Sequence, residues 1–539
     1  MTLLDCPLLT TLDPSGCGTL RRTLPGVLAG LVRDEISDFP KLRPHQRHVW
    51  HAFLVQIAAL ATLGGEPPPE DEAEWCRLLL ALTPEDGCAW ALVSPPDRPA
   101  FLQPPIPGGN LTGFKRVATP DALDMLVTAK NHDIKVGTMT AAEAEHWVYA
   151  LVSLQTQAGN LGSGKYGISR MNQGYGNRPG LGIEPGPGPS RRFQRDLARL
   201  HTLRPEMLRT YGYKALGGIG LVWLEPWKGL TDDIAPETLD PFYIEICRRV
   251  RLVGDSVTGL QARTSGSKAE RINAKAQRGV TGDPWTPVVP DKDGYKAFTL
   301  DAGGFSYRHL VKLIFPRSGD RDAIRQAPLQ LVGDDDDTRG LAILARALVR
   351  GQGKTEGYHE RRIPVSKTLR AFLGPRTATD TAAACAHARV EDVALFAKKV
   401  LWPATMAAFT GAPRTAHGER ARDDDTAKKR AGRVRDHLET QVDEQFFPAL
   451  DAELAVLDDA DTAMAVRARW LLELRDIGRT VLNRTLDAAP DAAVRHWRTR
   501  VRAHDVFEAC FRKVFDGRIS PDLLTPSPLA DTDAPEACP

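Results

Sequence analysis

Gly159-Asn-Leu-Gly-Ser-Gly-Lys-Tyr-Gly-Ile-Ser-Arg-Met-Asn-Gln-Gly-Tyr-Gly-Asn-Arg-Pro-Gly-Leu-Gly182 opens as G-x-x-x-x-G-K, the frame of a nucleotide-binding P-loop. The frame breaks at the next position. A P-loop needs a Ser or Thr hydroxyl there to hold Mg²⁺, and Tyr166 occupies it. The preceding segment, Trp147-Val-Tyr-Ala-Leu-Val-Ser-Leu-Gln155, has apolar residues at helical spacing, where a P-loop protein has a short buried strand. Downstream the chain stays glycine-rich and carries Arg170 and Arg178, so no helix begins here to aim its N-terminus at a phosphate. A helix running into a long loop is therefore expected, in place of the strand–loop–helix unit of a nucleotide hydrolase. The loop holds no acidic residue, and its glycines predict a flexible, basic segment whose backbone can approach a polyanion closely.

Working outward, 539 residues exceed one hydrophobic core and predict two or three domains. A 42% hydrophobic and 26% charged composition is that of an ordinary globular protein, which excludes a disordered or fibrous chain. No apolar run reaches the roughly 18 residues of a membrane span, and the N-terminus shows no signal-peptide pattern. Cys6, Cys17, Cys76, Cys88, Cys247, Cys385, Cys510 and Cys538 form no C-x-x-C pair, so reduced thiols and a cytoplasmic location are expected.

The segment Arg43-Pro-His-Gln-Arg-His-Val-Trp-His-Ala-Phe-Leu-Val-Gln-Ile-Ala-Ala-Leu-Ala-Thr-Leu63 predicts a helix with an apolar face, and residues 70–82 predict another. Phe101-Leu-Gln-Pro-Pro-Ile-Pro-Gly-Gly109 cannot be helix interior, because its prolines break the ladder. Between about 210 and 320 the pattern favours strands, including Leu221-Val-Trp-Leu224 and Ala297-Phe-Thr-Leu300. Beyond residue 380, four Ala/Arg/Leu-rich segments (390–401, 430–457, 462–486 and 492–515) predict an antiparallel helical bundle. The fold class expected is α+β: a large mixed α/β N-terminal domain over 1–375, a C-terminal four-helix bundle over 376–519, and a Pro/Asp-rich frayed tail over 520–539. A charged loop over 411–425 is expected to be mobile.

Several motifs suggest chemistry and fall short of it. His132-Asp133 lacks converging ligands for a metal-dependent nuclease, since His146 is the only other histidine nearby. Asp334-Asp-Asp-Asp337 lacks the ligand spacing of an EF-hand and reads as a solvated turn. No Ser/His/Asp or Cys/His constellation assembles at motif spacing, so no catalytic residue, metal or cofactor is assigned. A P-loop-like nucleotide hydrolase and a metal-dependent nuclease remain the alternative classes. Gly351-Gln-Gly-Lys354 is a second glycine loop, whose free backbone angles present one amide side chain beside a cation. From Arg467 to Arg518 there are 12 Lys/Arg, 11 of them Arg, against 7 Asp/Glu; Arg495, Arg498 and Arg502 are candidates for non-specific contacts to a DNA backbone.

These landmarks, with Phe101-Leu-Gln103, Gly220-Leu-Val-Trp-Leu-Glu-Pro-Trp227, Tyr243-Ile-Glu-Ile-Cys-Arg-Arg-Val-Arg-Leu252 and Glu360-Arg-Arg-Ile-Pro364, follow one another in an order that resembles the CasA family. That family is the large subunit of the type I-E CRISPR Cascade surveillance complex. The resemblance implies a non-catalytic protein that recognises the protospacer-adjacent motif in double-stranded DNA and promotes strand opening. Its implied partners are the backbone, small and guide-handle-binding Cascade subunits, the CRISPR guide RNA, the target duplex and a helicase-nuclease, with no membrane. It implies motif-reading roles for Gly162, Ser163, Gly164, Lys275 and Gln352, with Gln352 as a wedge. Supporting contacts fall to Lys165, Arg278, Gly351, Gly353 and Lys354, and contact with the guide RNA or other subunits to the loop of Lys130 and Asn131. Some family members carry a cysteine-rich zinc insert before the lysine segment. This chain has Arg263-Thr-Ser-Gly-Ser-Lys268 there, so no zinc is expected.

Overall fold

The computed structural model describes residues 1–16, 18–63, 67–83, 87–124, 139, 142–231, 233–255, 259–317, 323–336, 340–351, 354–373, 376–410, 425–488 and 493–519. Lys130, Asn131, His132, Asp133, Gln352, Gly353, the loop 411–424 and the tail 520–539 lie outside them. The chain divides into two compact units, 1–374 and 375–539. The first mixes helices with small sheets and the second is helical, which makes the fold α+β.

The first unit begins with a hairpin of β1 (Leu9–Leu12) and β2 (Thr19–Arg22), followed by α1 (Leu24–Val32). Thr23 caps α1 by accepting from the Gly26 amide, and Pro25 sits where the helix has no amide to satisfy. Helix α2 (Arg47–Ala61) matches the apolar periodicity, and everything from His48 to Leu60 is buried. A helix enclosed on all sides belongs to the centre of a core. Its partner across the core is α5 (Ala144–Gln157), where the Tyr149 ring meets Trp50 edge-on at 5.0 Å. Trp50 also stacks on Phe53 at 5.6 Å. Each large side chain so enclosed contributes about 1.5–3 kcal/mol. Polar groups on α2 are matched: Gln56 donates to the Phe242 and Tyr243 carbonyls, and His51 meets Asp196 at 2.8 Å. Burial holds His48 neutral, with its pKa down to about 3, and holds His51 down to about 4.

Between these helices lie α3 (Glu72–Ala81), β3 (Lys115–Val117) and α4 (Pro120–Leu123). The chain then forms β4 (Gly180–Glu184), α6 (Pro189–Tyr211), β5 (Ile219–Leu221) and β6 (Leu239–Ile244). Next come β7 (Arg249–Val253), β8 (Gln261–Ser265), β9 (Val288–Asp291), β10 (Gly294–Ala297) and α7 (Tyr307–Ile314). Strands β11 (Ala342–Gly351) and β12 (Lys354–Pro364) close the set, with α8 (Lys367–Ala371) after them. Two three-stranded antiparallel sheets result, ordered β12-β11-β4 and β3-β8-β7.

Three expectations need correction. Val222–Leu224 turns as a 3-10 helix, which leaves only Leu221 of the expected strand in β5. In the same way, Ala297 ends β10 and Phe298 to Leu300 are not strand. The acidic turn is not simply solvated: Asp336 is buried and accepts from Arg195 Nε at 2.6 Å and Nη2 at 3.0 Å. That pairing ties the turn to α6 by a charge-assisted fork.

In the second unit, a helix over Arg376–Phe396 passes through a wider π-helical turn at Ala397–Leu401 into Trp402–Thr410. It starts earlier than the periodicity suggests. Long helices over Asp425–Leu454, Ala460–Asp487 and Ala493–Phe515 complete the bundle. Its core is aromatic: Phe396 packs on Phe507, Phe511 and Phe515 with centroids 5.8–6.4 Å apart. Gly478 lets this happen, because a Cβ there would stand 2.4 Å from Phe396 Cζ.

Candidate nucleic-acid interface

Helix α5 ends at Ala158, whose backbone turns extended (φ −67°, ψ 126°). The loop that follows satisfies the helix's last carbonyls. Arg178 N donates to Gln157 O at 3.0 Å, and Ile168 N to Ala158 O at 2.9 Å. These are the groups a helix end leaves orphaned. Residues 162–165 then form a tight turn, with Lys165 N on Gly162 O at 3.0 Å and Leu161 N on Lys165 O at 2.9 Å. Asn160 Oδ1 accepts from Gly162 N at 2.8 Å, an Asx turn that sets the approach. Gly162 (φ +108°) and Gly164 (φ +78°) adopt angles that L side chains rarely take. Ser163 and Lys165 are exposed at the tip.

The space around the glycines differs along the loop. A Cβ on Gly162 meets nothing within 4 Å, so the tip is open. A Cβ on Gly159 would stand 2.3 Å from Gly176 O, and one on Gly167 would stand 2.7 Å from Asn160 N. The stem is therefore closely folded backbone on backbone, and the expected flexible loop is a pinned one. Ser267 N donates to Gly164 O at 3.2 Å, and Tyr166 Oη donates to Lys268 O at 3.2 Å, which clamps the turn against the chain leaving β8.

Two of the loop's cations are structural. Arg178 forms a bidentate pair with Asp283 (2.7 and 2.6 Å), both groups fully enclosed. Arg170 lies 3.9 Å over the Tyr243 ring and 3.5 Å from Glu245, whose carboxyl is pushed up by burial against the opposing pull of Arg170 and Ser169. Among the loop's cations only Lys165 reaches solvent. From below, Gln155 uses all its hydrogen-bonding capacity: Nε2 donates to Leu102 O and Arg248 O, and Oε1 accepts from the Cys247 and Arg248 amides. This aims Arg248, which donates to the carbonyls of Gly159, Tyr166 and Cys247.

The second glycine loop belongs to the β11–β12 hairpin, in which Gly351 pairs with Lys354 across the two residues outside the described set. The register shifts between Val349 and Arg350, a bulge that turns the end of the hairpin. Asn177 Nδ2 donates to Leu348 O at 3.2 Å, so the first glycine loop is bonded to this arm. Lys275 is exposed in a 3-10 turn, Lys275–Gln277, on the chain that continues from Ser267. Arg278 is paired with Asp291 and Asp293. In the second unit Arg498 is exposed and Arg502 half-buried on the helix that also carries Arg495.

Residues that linear reading passed over are Lys115, Arg249 and Arg350, which converge with Lys165 and Arg248 on one cleft. They lie on four separate segments, and the adjacent Arg248-Arg249 pair was the one visible hint. Among the described residues no cluster of three His, Cys, Asp or Glu could hold a metal.

The class defined by this architecture is an α+β protein with C-terminal helices that presents a backbone-built turn beside a basic cleft. The family described as CRISPR-associated protein Cse1 matches residues 26–481, and the chain belongs to that family. No relative among the curated proteins matches. In fold it is similar to the CRISPR-associated protein Cse1 from Acidimicrobium ferrooxidans (14% identity, TM-score 0.64, covering 96% of this chain and 99% of that one). It is also similar to Thermus thermophilus CasA (Cse1) (15%, TM-score 0.61, 95% and 99%). A chain from a CRISPR RNA-guided surveillance complex shares 12% identity with a TM-score of 0.60, covering 96% and 99%.

Proposed function

We propose that the chain is a non-catalytic large subunit of an RNA-guided type I-E CRISPR complex. In this reading it recognises the protospacer-adjacent motif in double-stranded DNA, promotes strand opening for R-loop formation, and helps recruit the helicase-nuclease. The observation that carries the reading is the turn at 162–164. It is held rigidly from below, bare of side-chain bulk at Gly162, and flanked by Lys165. Minor-groove edges present a degenerate pattern, so a turn of this kind needs few donors to read them and can accept more than one motif. A wedge at Gln352 would cost a few kcal/mol of unstacking and make the neighbouring pairs easier to open. Guide pairing then carries the sequence reading. Lys130 and Asn131 are assigned to the guide RNA or to neighbouring subunits, and Lys275 to the motif.

The test uses the assembled complex. Gly162→Asp or Gln352→Ala is expected to weaken binding to the target duplex at least about tenfold more than binding to a pre-opened bubble, as one lost base contact predicts. Equal losses on both substrates would remove the reader and wedge roles. Mg²⁺-dependent ATPase or nuclease turnover by the purified chain would refute the non-catalytic reading.

A further inference from the structure

A cleft of about 520 Å³ opens beside the glycine turn. Its lining brings together Lys165 of the turn, Lys115 of β3, Arg248 and Arg249 at the start of β7, and Arg350 near the end of β11. Among the described lining residues these five cations face one carboxylate, Asp124. That carboxylate is already engaged, by His45 Nε2 at 2.8 Å and Gln46 Nε2 at 2.5 Å. Arg248 spends its donors on backbone carbonyls, which leave its charge uncancelled.

Arg350 is the singular member. It is 9% exposed, and its Nε and Nη1 are sealed from solvent with no hydrogen-bond partner. Burial, and then the neighbouring Arg248 charge, push its guanidinium down to about 10, so it remains protonated at neutral pH. Buried donors are nearly always satisfied in a folded protein. A buried guanidinium with two donors left unpaired adds uncancelled charge to the cleft wall, and an anion can meet it through the 9% of its surface that stays exposed. A single carboxylate would leave most of that surplus uncancelled, whereas successive phosphates on a chain would not. The volume is that of a small-molecule pocket, with room for a nucleotide or two. Val117 and Leu161, both half-buried, add apolar wall for a sugar or base face.

We propose that this cleft seats the phosphodiester backbone of a single nucleic-acid strand, with phosphate oxygens accepting from Arg350 on its floor and the remaining cations holding the strand along its rim. The proposal rests on the nucleic-acid reading above and does not depend on motif recognition by the turn.

The experiment measures binding of labelled ten-nucleotide RNA and DNA strands of one sequence to the purified full chain by fluorescence anisotropy across a salt series. Arg350→Met keeps the stem and removes the donors. It is expected to weaken binding about tenfold or more and to reduce the log–log salt slope by about 0.7, the single-strand value for one phosphate contact. Its melting temperature should hold or rise, because an uncompensated charge has left the interior. Lys115→Glu, on an exposed edge strand, is expected to weaken binding without touching the core. Loss confined to RNA assigns the cleft to the guide, and loss confined to DNA assigns it to an opened target strand. Wild-type affinity in both variants overturns the proposal, as does a loss of binding matched by a fall in melting temperature. If Arg350→Met behaves as expected while Gly162→Asp shows no duplex-specific defect, the cleft stands and the turn's reading role falls; the reverse pattern removes the cleft alone.

Discussion

The buried pair of Arg178 and Asp283 fixes the end of the glycine loop, so breaking it should release the loop without touching its tip. Both side chains are at most 2% exposed. Asp283 accepts two guanidinium bonds, at 2.6 and 2.7 Å, and a third from Thr286 Oγ1 at 2.8 Å. Those donors hold its carboxyl below the usual range even though burial pushes the other way. Asp283→Leu leaves a guanidinium sealed in the core, and Arg178→Met leaves a carboxylate there. Stranding one charge of a buried pair typically costs about 3–5 kcal/mol. At about 1.4 kcal/mol per factor of ten, that is between two and four powers of ten in the opening equilibrium. Hydrogen–deuterium exchange over residues 157–184 reads this directly, and it avoids assuming that the two units unfold together. The double variant, Arg178→Met with Asp283→Leu, removes both charges and should recover most of the protection. Protection in either single variant that matches wild type would refute the pinned-loop account. A double variant as unprotected as the sum of the singles would refute its electrostatic origin.

Acid should weaken the first unit. The folded pKa values of His48 (about 3) and His51 (about 4) lie below the usual value of about 6.5, so the unfolded state binds more protons and stability falls as pH drops through 6.5. The loss at pH 5 is about 2 kcal/mol per histidine, and urea midpoints at pH 7 and pH 5 that coincide would contradict it. Gly159→Ala forces a Cβ onto the Gly176 carbonyl and should cost about 1–3 kcal/mol by overpacking. Gly162→Ala meets open space and should cost only the strain of its positive φ, about 1–2 kcal/mol; thermal denaturation that ranks the pair in reverse would show the stem to be loose. Replacing Arg495, Arg498 and Arg502 together by Ala should lower the log–log salt slope of DNA binding by up to about 2.7 if each neutralises one phosphate. An unchanged slope would assign them to protein contacts or solvation.

Much of the architecture was legible because it follows from period and punctuation. The run ending at Leu63 carries enough consecutive apolar faces that burial is its natural fate, and the prolines after Phe101 leave no helix to form. The bundle announced itself by composition, although its first helix starts at Arg376, where alanine and threonine leave the apolar stripe faint. Short strands were harder. Leu221-Val-Trp-Leu224 has strand-forming residues, yet tertiary packing of Trp223 against Trp90 and Phe101 bends it into a 3-10 turn. Counting charge along the glycine loop misled, since Arg170 and Arg178 find Glu245 and Asp283 from segments 75 and 105 residues away. The cleft was illegible for the same reason: Lys115, Arg248 and Arg350 meet only once the sheets are assembled.

The inward burial of Arg170 and Arg178 has a kinetic consequence. A loop offering three loose cations would adhere to any duplex it touched, and each wrong site would hold the protein for longer. With only Lys165 turned outward, the tip offers a polyanion little indiscriminate grip, and in the proposed motif-reading role a poor match to the turn's contour would be abandoned quickly. In the proposed role, where many sites are sampled before one is opened, brief dwell at the wrong ones would set the pace of the search.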